Sequence, residues 1–374
     1  MSLPTTMRAV VIEGDKPVVK DNVPLPELED GFLLVKPKAV AGNPTDWKHI
    51  AMKLGPQGAI VGCDVAGEIV KLGPNVDSNK FQVGDYVYGF VHGASVRYPT
   101  NGAFAEYVGL DSYTAYKAPK TMHLSGKDNI PEGPITTFEG AASLPVSLTT
   151  AGVTLYHEFG LKLDYTDSKP QNSFPILLWG GATGVGQHLI QLAKQLNGYS
   201  KIIVVASKKH EAQLKTYGAD ELFDYHDEDV IDQIKAKYPN IQHLVDCVSN
   251  PTTIQQTYKC ASETEEATVL QLVIFTIKDI KEEDRRDNKK ITGTLLYKAG
   301  GKPVPFGNFT LPADADYRKA THDVIAYLNP KLDRGDIHHI PVKVHQNGLD
   351  DIPQLLDDIM NNRNSGEKLV SVFK

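Results

Sequence analysis

Cysteine is scarce in this chain. Only three of the 374 residues are cysteines, Cys63, Cys247 and Cys260. Because they are few, odd in number and far apart, they exclude both a disulfide framework and a zinc lobe with four cysteine ligands. We therefore expect a reducing, cytoplasmic location for the protein.

Long apolar runs and an excess of positive charge are also lacking. No stretch approaches the ~20 apolar residues that a membrane-spanning helix needs. Residues 1–6 have neither the apolar core of a signal peptide nor the arginines of a transit peptide. The formal net charge is −7 and no basic stripe is present, which argues against nucleic acid or an anionic membrane as a partner.

The character of the chain changes near residue 145. Before that point, short β-rich pieces such as Met7–Glu13 and Phe32–Ala41 alternate with glycine and proline turns, which predicts an all-β region. From residue 176 onwards, strand-like and helix-like segments alternate, which predicts an α/β domain with a doubly wound parallel sheet. We expect the last 60 or so residues to return to the β region. This assigns residues 1–147 and 316–374 to one domain and residues 148–315 to the other.

The segment Ile176–Ser207 has the order of a dinucleotide-binding unit. The apolar strand Ile176–Trp179 runs into the glycine-rich loop Gly180–Gly186, which is followed by a helical pattern and a second strand, Ile202–Val205. Glycines allow the backbone to turn sharply and to approach a pyrophosphate, which can bind at the positive end of the helix.

The glycine loop departs from the usual G-x-G-x-x-G spacing. Thr183 fills the middle glycine position, and Gly184 follows it. The turn remains feasible, with the pyrophosphate in a slightly different place. The predicted cofactor-binding residues of this loop are Gly181, Ala182, Thr183, Gly184 and Val185.

The choice of nicotinamide cofactor depends on the end of the second strand. NAD-preferring units place an acidic residue there to bind the ribose 2′-hydroxyl. Here Ser207 and Lys208 follow the strand, and the first acid is Glu211. A hydroxyl and cations suit a 2′-phosphate, so NADPH is favoured, although NADH stays possible. Tyr225 is a candidate for stacking on the adenine, or it packs at the end of a strand.

Four segments together resemble one enzyme family over the whole chain: Gly42–His49, Gly62–Gly73, Trp179–Gly186 and Ser365–Val370. The chain is similar to the zinc-independent, quinone- and enoyl-reductase-like branch of the medium-chain dehydrogenase/reductase superfamily. It most resembles fungal ToxD-like trans-enoyl reductases and fungal NAD(P)H-dependent aldehyde reductases. The resemblance implies a GroES-like β domain, completed by the C-terminal tail, and a Rossmann nucleotide-binding domain.

The same segments test for a catalytic zinc. Zinc-dependent members of the superfamily have a cysteine in the first segment and Gly-His-Glu in the second. This chain has Asn43-Pro44 and Gly62-Cys63-Asp64 instead. One thiol and scattered carboxylates do not make the three-ligand site that a catalytic zinc needs, so we expect no metal.

The resemblance also implies site residues. Lys48 would lie beside the nicotinamide ribose and meet the negative charge that develops on the substrate oxygen, or it is a surface lysine paired with an acid. Asn43 would orient a substrate oxygen, or it forms a turn ahead of Pro44. Pro44 belongs to the same segment, which faces the cofactor, and is itself predicted to bind it. Thr150 would bind the nicotinamide amide, or it lies at a helix N-terminus without a ligand.

Two reductions fit these features. The absence of zinc favours conjugate reduction of an enone, enoyl group or quinone, because hydrogen bonds alone can stabilise an enolate. The resemblance to aldehyde reductases favours, more strongly, reduction of a small aldehyde to an alcohol. A catalytically inactive nucleotide-binding scaffold is the remaining alternative. No motif identifies the proton donor: Tyr98, Tyr156 and water relayed by Lys48 are the candidates.

The sequence favours a monomer over a homodimer. Many relatives form dimers by pairing edge strands of the nucleotide domain. Here the segment Thr292–Leu311 contains Gly300, Gly301, Pro303, Pro305 and Gly307 near that edge. Proline and glycine disfavour pairing of an edge strand, so we expect this edge to stay unpaired.

Overall fold

The computed structural model describes residues 3–306 and 309–373. The strands are β1 (Thr6–Glu13), β2 (Lys16–Pro24), β3 (Phe32–Ala41), β4 (Asp64–Leu72), β5 (Tyr86–Phe90), β6 (Val108–Asp111), β7 (Tyr116–Ala118), β8 (Asn129–Ile130), β9 (Ile176–Trp179), β10 (Ile202–Val205), β11 (Glu221–Phe223), β12 (His243–Asp246), β13 (Ala267–Gln271), β14 (Lys289–Gly293), β15 (Val304–Phe306), β16 (Phe309–Leu311), β17 (Val342–His345) and β18 (Lys368–Val372). The α-helices are α1 (Pro44–Ala51), α2 (Phe138–Ala142), α3 (Pro145–Val153), α4 (Gly184–Gln195), α5 (Glu211–Tyr217), α6 (Val230–Lys237), α7 (Pro251–Lys259), α8 (Ala315–Arg334) and α9 (Ile352–Met360).

The chain divides into two compact units. The first comprises Met1–Thr149 and Tyr297–Lys374, and the second comprises Thr150–Leu296. Residues 297–306 and 309–315, which the sequence places with the nucleotide-binding domain, lie in the first unit. Side chains of this stretch bind there: Lys302 pairs with Glu29, and the ring of Tyr297 stacks on that of His92 with centroids 3.8 Å apart.

The first unit is built on a mixed sheet with the strand order β7-β5-β4-β3-β18-β17-β8, in which β6 also pairs with β3. The last strand of the chain, β18, runs antiparallel to β3 and parallel to β17. The C-terminal tail therefore completes a sheet that the N-terminal segment begins, as expected for the GroES-like domain.

Helix α9 explains how the tail is held to this sheet. Its apolar residues recur at helical spacing and form one face, with Ile352, Leu355, Leu356 and Ile359 all buried. They belong to one hydrophobic cluster with side chains of β3 and β4. Burial of this face anchors the tail to the core of the first unit.

The second unit is a parallel sheet with the order β11-β10-β9-β12-β13-β14. The chain winds outwards from β9 to β11 and then returns to the other side of β9 at β12. This reversal places a topological switch point at the carboxyl ends of β9 and β12, where doubly wound sheets bind their ligands. The predicted Rossmann architecture is confirmed.

The edge strands of this sheet are β11 and β14, and β14 ends at Gly293. The glycines and prolines used to predict a monomer follow it in the chain; Gly307 lies outside the described residues. Within residues 3–306 and 309–373, no helix has both the length and the apolar character needed to cross a membrane.

Replacing Leu355 tests the anchoring of the tail. Leu355 is completely buried, so we expect Leu355→Ala to lower the free energy of unfolding of the first unit by about 2–5 kcal/mol. Met360→Ala is the matched control, because Met360 ends the same helix and is 44% exposed. Denaturant unfolding would be followed by Trp47 fluorescence in a Trp179→Phe background. Equal stability of the two variants would contradict the assigned core.

Candidate functional site

The glycine loop of the second unit has contacts that only glycine allows. Gly180 follows β9 with φ at +82°, in the left-handed region. A Cβ atom on Gly181 would lie 2.1 Å from Cγ1 of Val204, and one on Gly186 would lie 2.5 Å from the carbonyl oxygen of Gly180. The loop is therefore held tightly between β9, β10 and α4.

Thr183, the residue at the unexpected position, caps helix α4. Its hydroxyl oxygen accepts a hydrogen bond from the backbone N–H of Gly186 at 3.1 Å. Helix α4 begins at Gly184, and the N–H groups of a first helical turn have no carbonyl partner within the helix. The residues 181–185 thus surround a helix N-terminus that suits an anion such as a pyrophosphate.

An acidic residue that the sequence analysis did not identify is hydrogen-bonded to the segment that follows β10. The carboxylate of Asp224, just after β11, accepts hydrogen bonds from the backbone N–H of Lys208 at 3.0 Å and from Nδ1 of His226 at 2.6 Å. Bonds from the backbone and ring of His226, with that from Lys208, lower the pKa of Asp224 to about 2. The only signal in the sequence was its place at a strand end.

The predicted 2′-phosphate residues lie at the surface around this acid. Ser207 is half-buried, the side chain of Lys208 is exposed, and the Tyr225 ring is 49% exposed. The Tyr225 ring also contacts His226, with centroids 4.1 Å apart. The Asp224 carboxylate is committed to these internal bonds, which leaves the lysine side chain available at the surface for an anionic group.

In the first unit, Asn43 is the N-cap residue of helix α1 and directly precedes its first residue. Its backbone N–H donates to Oδ2 of Asp46 at 2.7 Å, and its amide Nδ2 donates to Oδ2 of Asp64 at 2.8 Å. Its amide oxygen accepts a bond from Nζ of Lys368. Asn43 is buried, and both ends of its amide are bonded inside the protein. Both of these side-chain bonds are to residues far along the chain, and the two interpretations of Asn43, a turn ahead of Pro44 or a role towards substrate, stay predictions.

Asp64 and Lys368 form a buried ion pair, with Nζ 3.2 Å from Oδ2. The other oxygen of Asp64 accepts a bond from the backbone N–H of Val146 at 2.8 Å. Burial raises the pKa of Asp64, and the cation of Lys368 opposes that shift. Lys368 belongs to a segment that the sequence analysis used only for the family resemblance.

A tyrosine that the sequence analysis missed lies next to α1. The hydroxyl of Tyr297 is 2.5 Å from Oγ1 of Thr45 and 3.6 Å from Sγ of Cys63. Its ring forms part of the wall of a cavity of about 130 Å³ in the first unit, together with His92. No motif surrounds Tyr297, so only the fold could reveal this position.

The two tyrosines that the sequence analysis named as candidate proton donors occupy other positions. Tyr98 also lines the cavity, and its hydroxyl donates to Oε2 of Glu29 at 3.0 Å and accepts from Nε of Arg97 at 2.8 Å. Tyr156 lies in the second unit, in the helical turn Thr154–Glu158 that follows α3. Neither position singles out a proton donor.

The remaining predicted residues have clear places. Pro44 is the first residue of α1, and Lys48 lies one turn later, half-buried, with Nζ 5.9 Å from the centroid of the Trp47 ring. Thr150 is buried in the interior of α3, which begins at Pro145. The alternative in which Thr150 lies at a helix N-terminus therefore does not apply.

The donor set of the first unit does not fit a catalytic zinc. The amide of Asn43 is bonded to Asp64 and Lys368, and burial raises the pKa of the Cys63 thiol well above its usual value, which disfavours the thiolate that zinc binds. Across the described part of the chain, no three His, Cys, Asp or Glu side chains are grouped so that they could hold a metal ion.

Asp46 generates a prediction about stability and pH. Burial raises its pKa from an ordinary value near 3.8 to about 7. Between these pH values the unfolded chain has lost the proton and the folded protein keeps it, so this group makes the free energy of unfolding fall as pH rises. We expect Asp46→Asn to gain stability relative to wild type between about pH 4 and pH 7.

Denaturant unfolding at several pH values measures this difference. Asp15→Asn is the control, because Asp15 lies on the exposed turn between β1 and β2. If Asp46→Asn showed the same pH profile as the control, Asp46 would not hold its proton in the folded state.

Comparisons with known proteins agree with this architecture. Residues 29–120 match the alcohol dehydrogenase GroES-like domain, and residues 184–302 match the zinc-binding dehydrogenase family. The structure of the quinone oxidoreductase from Coxiella burnetii is similar with a TM-score of 0.67 at 22% identity, covering 99% of this chain and 100% of that one.

Two relatives match nearly the whole sequence. The uncharacterized protein YNL134C of Saccharomyces cerevisiae is 67% identical, over 100% of this chain and 99% of its own length. The trans-enoyl reductase FSL5 of Gibberella zeae is 32% identical, over 99% of this chain and 98% of its own length. The chain belongs to the medium-chain dehydrogenase/reductase superfamily, in its enoyl- and quinone-reductase-like branch, and is an oxidoreductase of that family.

Proposed function

We propose that this protein is a metal-free, NADPH-dependent reductase that converts small aldehydes to alcohols. The observation that carries the proposal is the cavity of about 130 Å³ in the first unit, which Tyr98, Tyr297 and His92 help to line. A cavity of roughly 150 Å³ accommodates a benzene ring, so this one suits a small aliphatic or aromatic aldehyde. The lack of a zinc-compatible donor set supports a reduction assisted by hydrogen bonds and cations.

The second unit supplies the residues that would hold the cofactor. Residues 181–185 would bind the pyrophosphate at the N-terminus of α4. Ser207 and Lys208 would bind the 2′-phosphate, Tyr225 would stack on the adenine, and Thr150 would bind the nicotinamide amide. The exposed cation of Lys208 is the reason to favour NADPH, with NADH as a usable second cofactor.

The first unit supplies the groups that would act on the substrate. NADPH, when bound, supplies a hydride to the electrophilic carbon. Lys48 and Pro44, at the start of α1, are assigned to the nicotinamide ribose. The ammonium group of Lys48 would stabilise the negative charge that develops on the substrate oxygen, with Asn43 as a second candidate for orienting that oxygen.

Conjugate reduction of an enone or enoyl group, or reduction of a quinone, is the second candidate. Its support is the similarity to FSL5, which is named a trans-enoyl reductase and matches nearly the whole chain. Both reductions place negative charge on an oxygen, so the same Lys48 would serve either one. A catalytically inactive scaffold would have neither activity.

We infer that the protein acts on its small-molecule substrate as a cytoplasmic monomer, without a nucleic acid or membrane partner. The support is the net charge of −7, the buried free cysteines, and the glycine- and proline-rich segment after β14.

The position of transferred deuterium distinguishes the two reductions. We expect the protein to reduce cinnamaldehyde with C4-deuterated NADPH and to place the label on C1 of cinnamyl alcohol, because hydride goes to the carbonyl carbon. Mass spectrometry and NMR of the product measure the position. Label on C3 of the saturated aldehyde would establish conjugate reduction instead. No consumption of NADPH with aldehydes, enones or quinones would favour the scaffold.

Replacing Ser207 tests the cofactor assignment. We expect Ser207→Asp to lower the ratio of kcat/KM for NADPH over NADH by about tenfold or more, because a carboxylate repels the 2′-phosphate and can bind a 2′-hydroxyl. Ser200→Asp, exposed in the same unit, is the control for the added charge. A variant that keeps the wild-type ratio would show that the 2′-phosphate binds elsewhere.

A further inference from the structure

Four polar residues that line the cavity of the first unit are joined by hydrogen bonds. The hydroxyl of Tyr98 accepts a bond from Nε of Arg97 at 2.8 Å and one from Nζ of Lys302 at 3.1 Å. It donates its own hydrogen to Oε2 of Glu29 at 3.0 Å. All four residues belong to the cavity wall. We call them the Tyr98 cluster.

The Tyr98 cluster holds two cations and one acid. Lys302 and Glu29 form an ion pair. Burial raises the pKa of Glu29, but the bonds from Lys302 and Tyr98 and the charge of Arg97 lower it further, so the carboxyl group is ionised at neutral pH. Among residues 3–306 and 309–373, the guanidinium of Arg97 has no ion pair, and only its Nε is hydrogen-bonded. The cluster therefore carries one uncompensated positive charge.

The position of Arg97 is fixed although its side chain is exposed. The backbone N–H groups of Arg97 and Tyr98 each donate to Oγ of Ser95 at 3.2 Å, and Ser95 is buried. The guanidinium carbon lies 5.4 Å from the centroid of the Tyr98 ring. With Nε bonded, the two outer amino groups keep the planar fork that matches the two oxygens of a carboxylate.

The remaining charges of the cavity wall leave this cation as the best-placed binding group. Arg318 is paired with Asp111 at 2.6 Å. Asp30 also lines the cavity, is exposed, and forms no hydrogen bond or ion pair within the described part of the chain. No bond orients Asp30, whereas Arg97 is oriented by Tyr98. A group that is already held in place loses less conformational freedom when a ligand binds.

We propose that the cavity takes short aldehydes that carry a carboxylate at the other end, and that Arg97 binds this carboxylate. The inference rests on the proposed function, because the aldehyde group is what that function reduces. Apolar side chains such as Phe90 and Val304 also line the cavity and suit the carbon chain between the two groups. The volume of about 130 Å³ limits that chain to a few carbons.

The wild-type protein provides the first test, which needs no variant. We expect kcat/KM with NADPH to be about tenfold or more higher for 4-oxobutanoate than for its methyl ester, which has the same chain without the charge. The difference should shrink as salt is raised from ~50 mM to ~500 mM, because an exposed ion pair is screened. Equal use of acid and ester would overturn the proposal. Preference for an aldehyde that carries a trimethylammonium group would also overturn it, in favour of Asp30.

Replacing Arg97 tests its assignment as a specificity-determining residue. We expect Arg97→Met, which keeps an apolar stem and removes the cation, to raise KM for 4-oxobutanoate by about tenfold and to leave kcat/KM for the ester within about twofold. Arg334→Met is the matched control, because Arg334 is exposed in the same unit, pairs with Asp336 and does not line the cavity. An Arg97→Met variant that keeps the wild-type preference for the acid would overturn the assignment.

A binding measurement separates this inference from the proposed function. Calorimetry with 4-hydroxybutanoate, the alcohol that reduction of 4-oxobutanoate would give, requires no turnover. We expect the dissociation constant to be about tenfold higher for Arg97→Met than for wild type. A wild type that reduces no aldehyde but binds 4-hydroxybutanoate through Arg97 would overturn only the proposed function. A wild type that reduces the ester and binds 4-hydroxybutanoate no better than Arg97→Met does would overturn only this inference.

Discussion

The buried carboxylate of Asp64 is the constraint on which the first unit depends. A charge removed from water is costly unless a counter-ion and hydrogen bonds compensate it. The compensation comes from three distant parts of the chain: Lys368 on β18, Asn43 ahead of α1, and the backbone N–H of Val146 in α3. The ion pair therefore joins the C-terminal tail to the sheet at the place where α1 begins.

The contacts of Asp64 fix the position of helix α1, and α1 in turn positions the residues of the candidate site. Asn43 is held by Asp64 and Lys368 and in turn binds Asp46, so the first turn of the helix is fixed. Thr45 then meets the hydroxyl of Tyr297. Zinc-dependent members of the superfamily use this region for metal ligands, whereas this chain fills it with a hydrogen-bonded network of amide, carboxylate, hydroxyl and thiol groups.

The nucleotide-binding unit could be predicted from the sequence because the residues that indicate it lie close together in the chain. Glycine spacing, an apolar strand and a helical repeat lie within about 30 consecutive residues, and each reflects a backbone requirement that the structure shows at Gly181 and Gly186. Even the departure at Thr183 has a local explanation, since a threonine hydroxyl is a good helix cap. The hydrogen bonds of Asp224 to Lys208 and His226 could not be predicted in this way, because they depend on the pairing of β10 with β11.

The sequence by itself determined the two architectures and their order, the return of the C-terminal tail, and the loop suited to a dinucleotide. Periodic apolar residues and glycines impose these features over short stretches. Only the tertiary structure decided what surrounds α1. Tyr297 reaches Thr45 across 252 positions of the chain, and Lys368 reaches Asn43 across 325. No short-range sequence pattern predicts such contacts. They form when strands from both ends of the chain pack into one sheet, which brings polar side chains together in the same buried region.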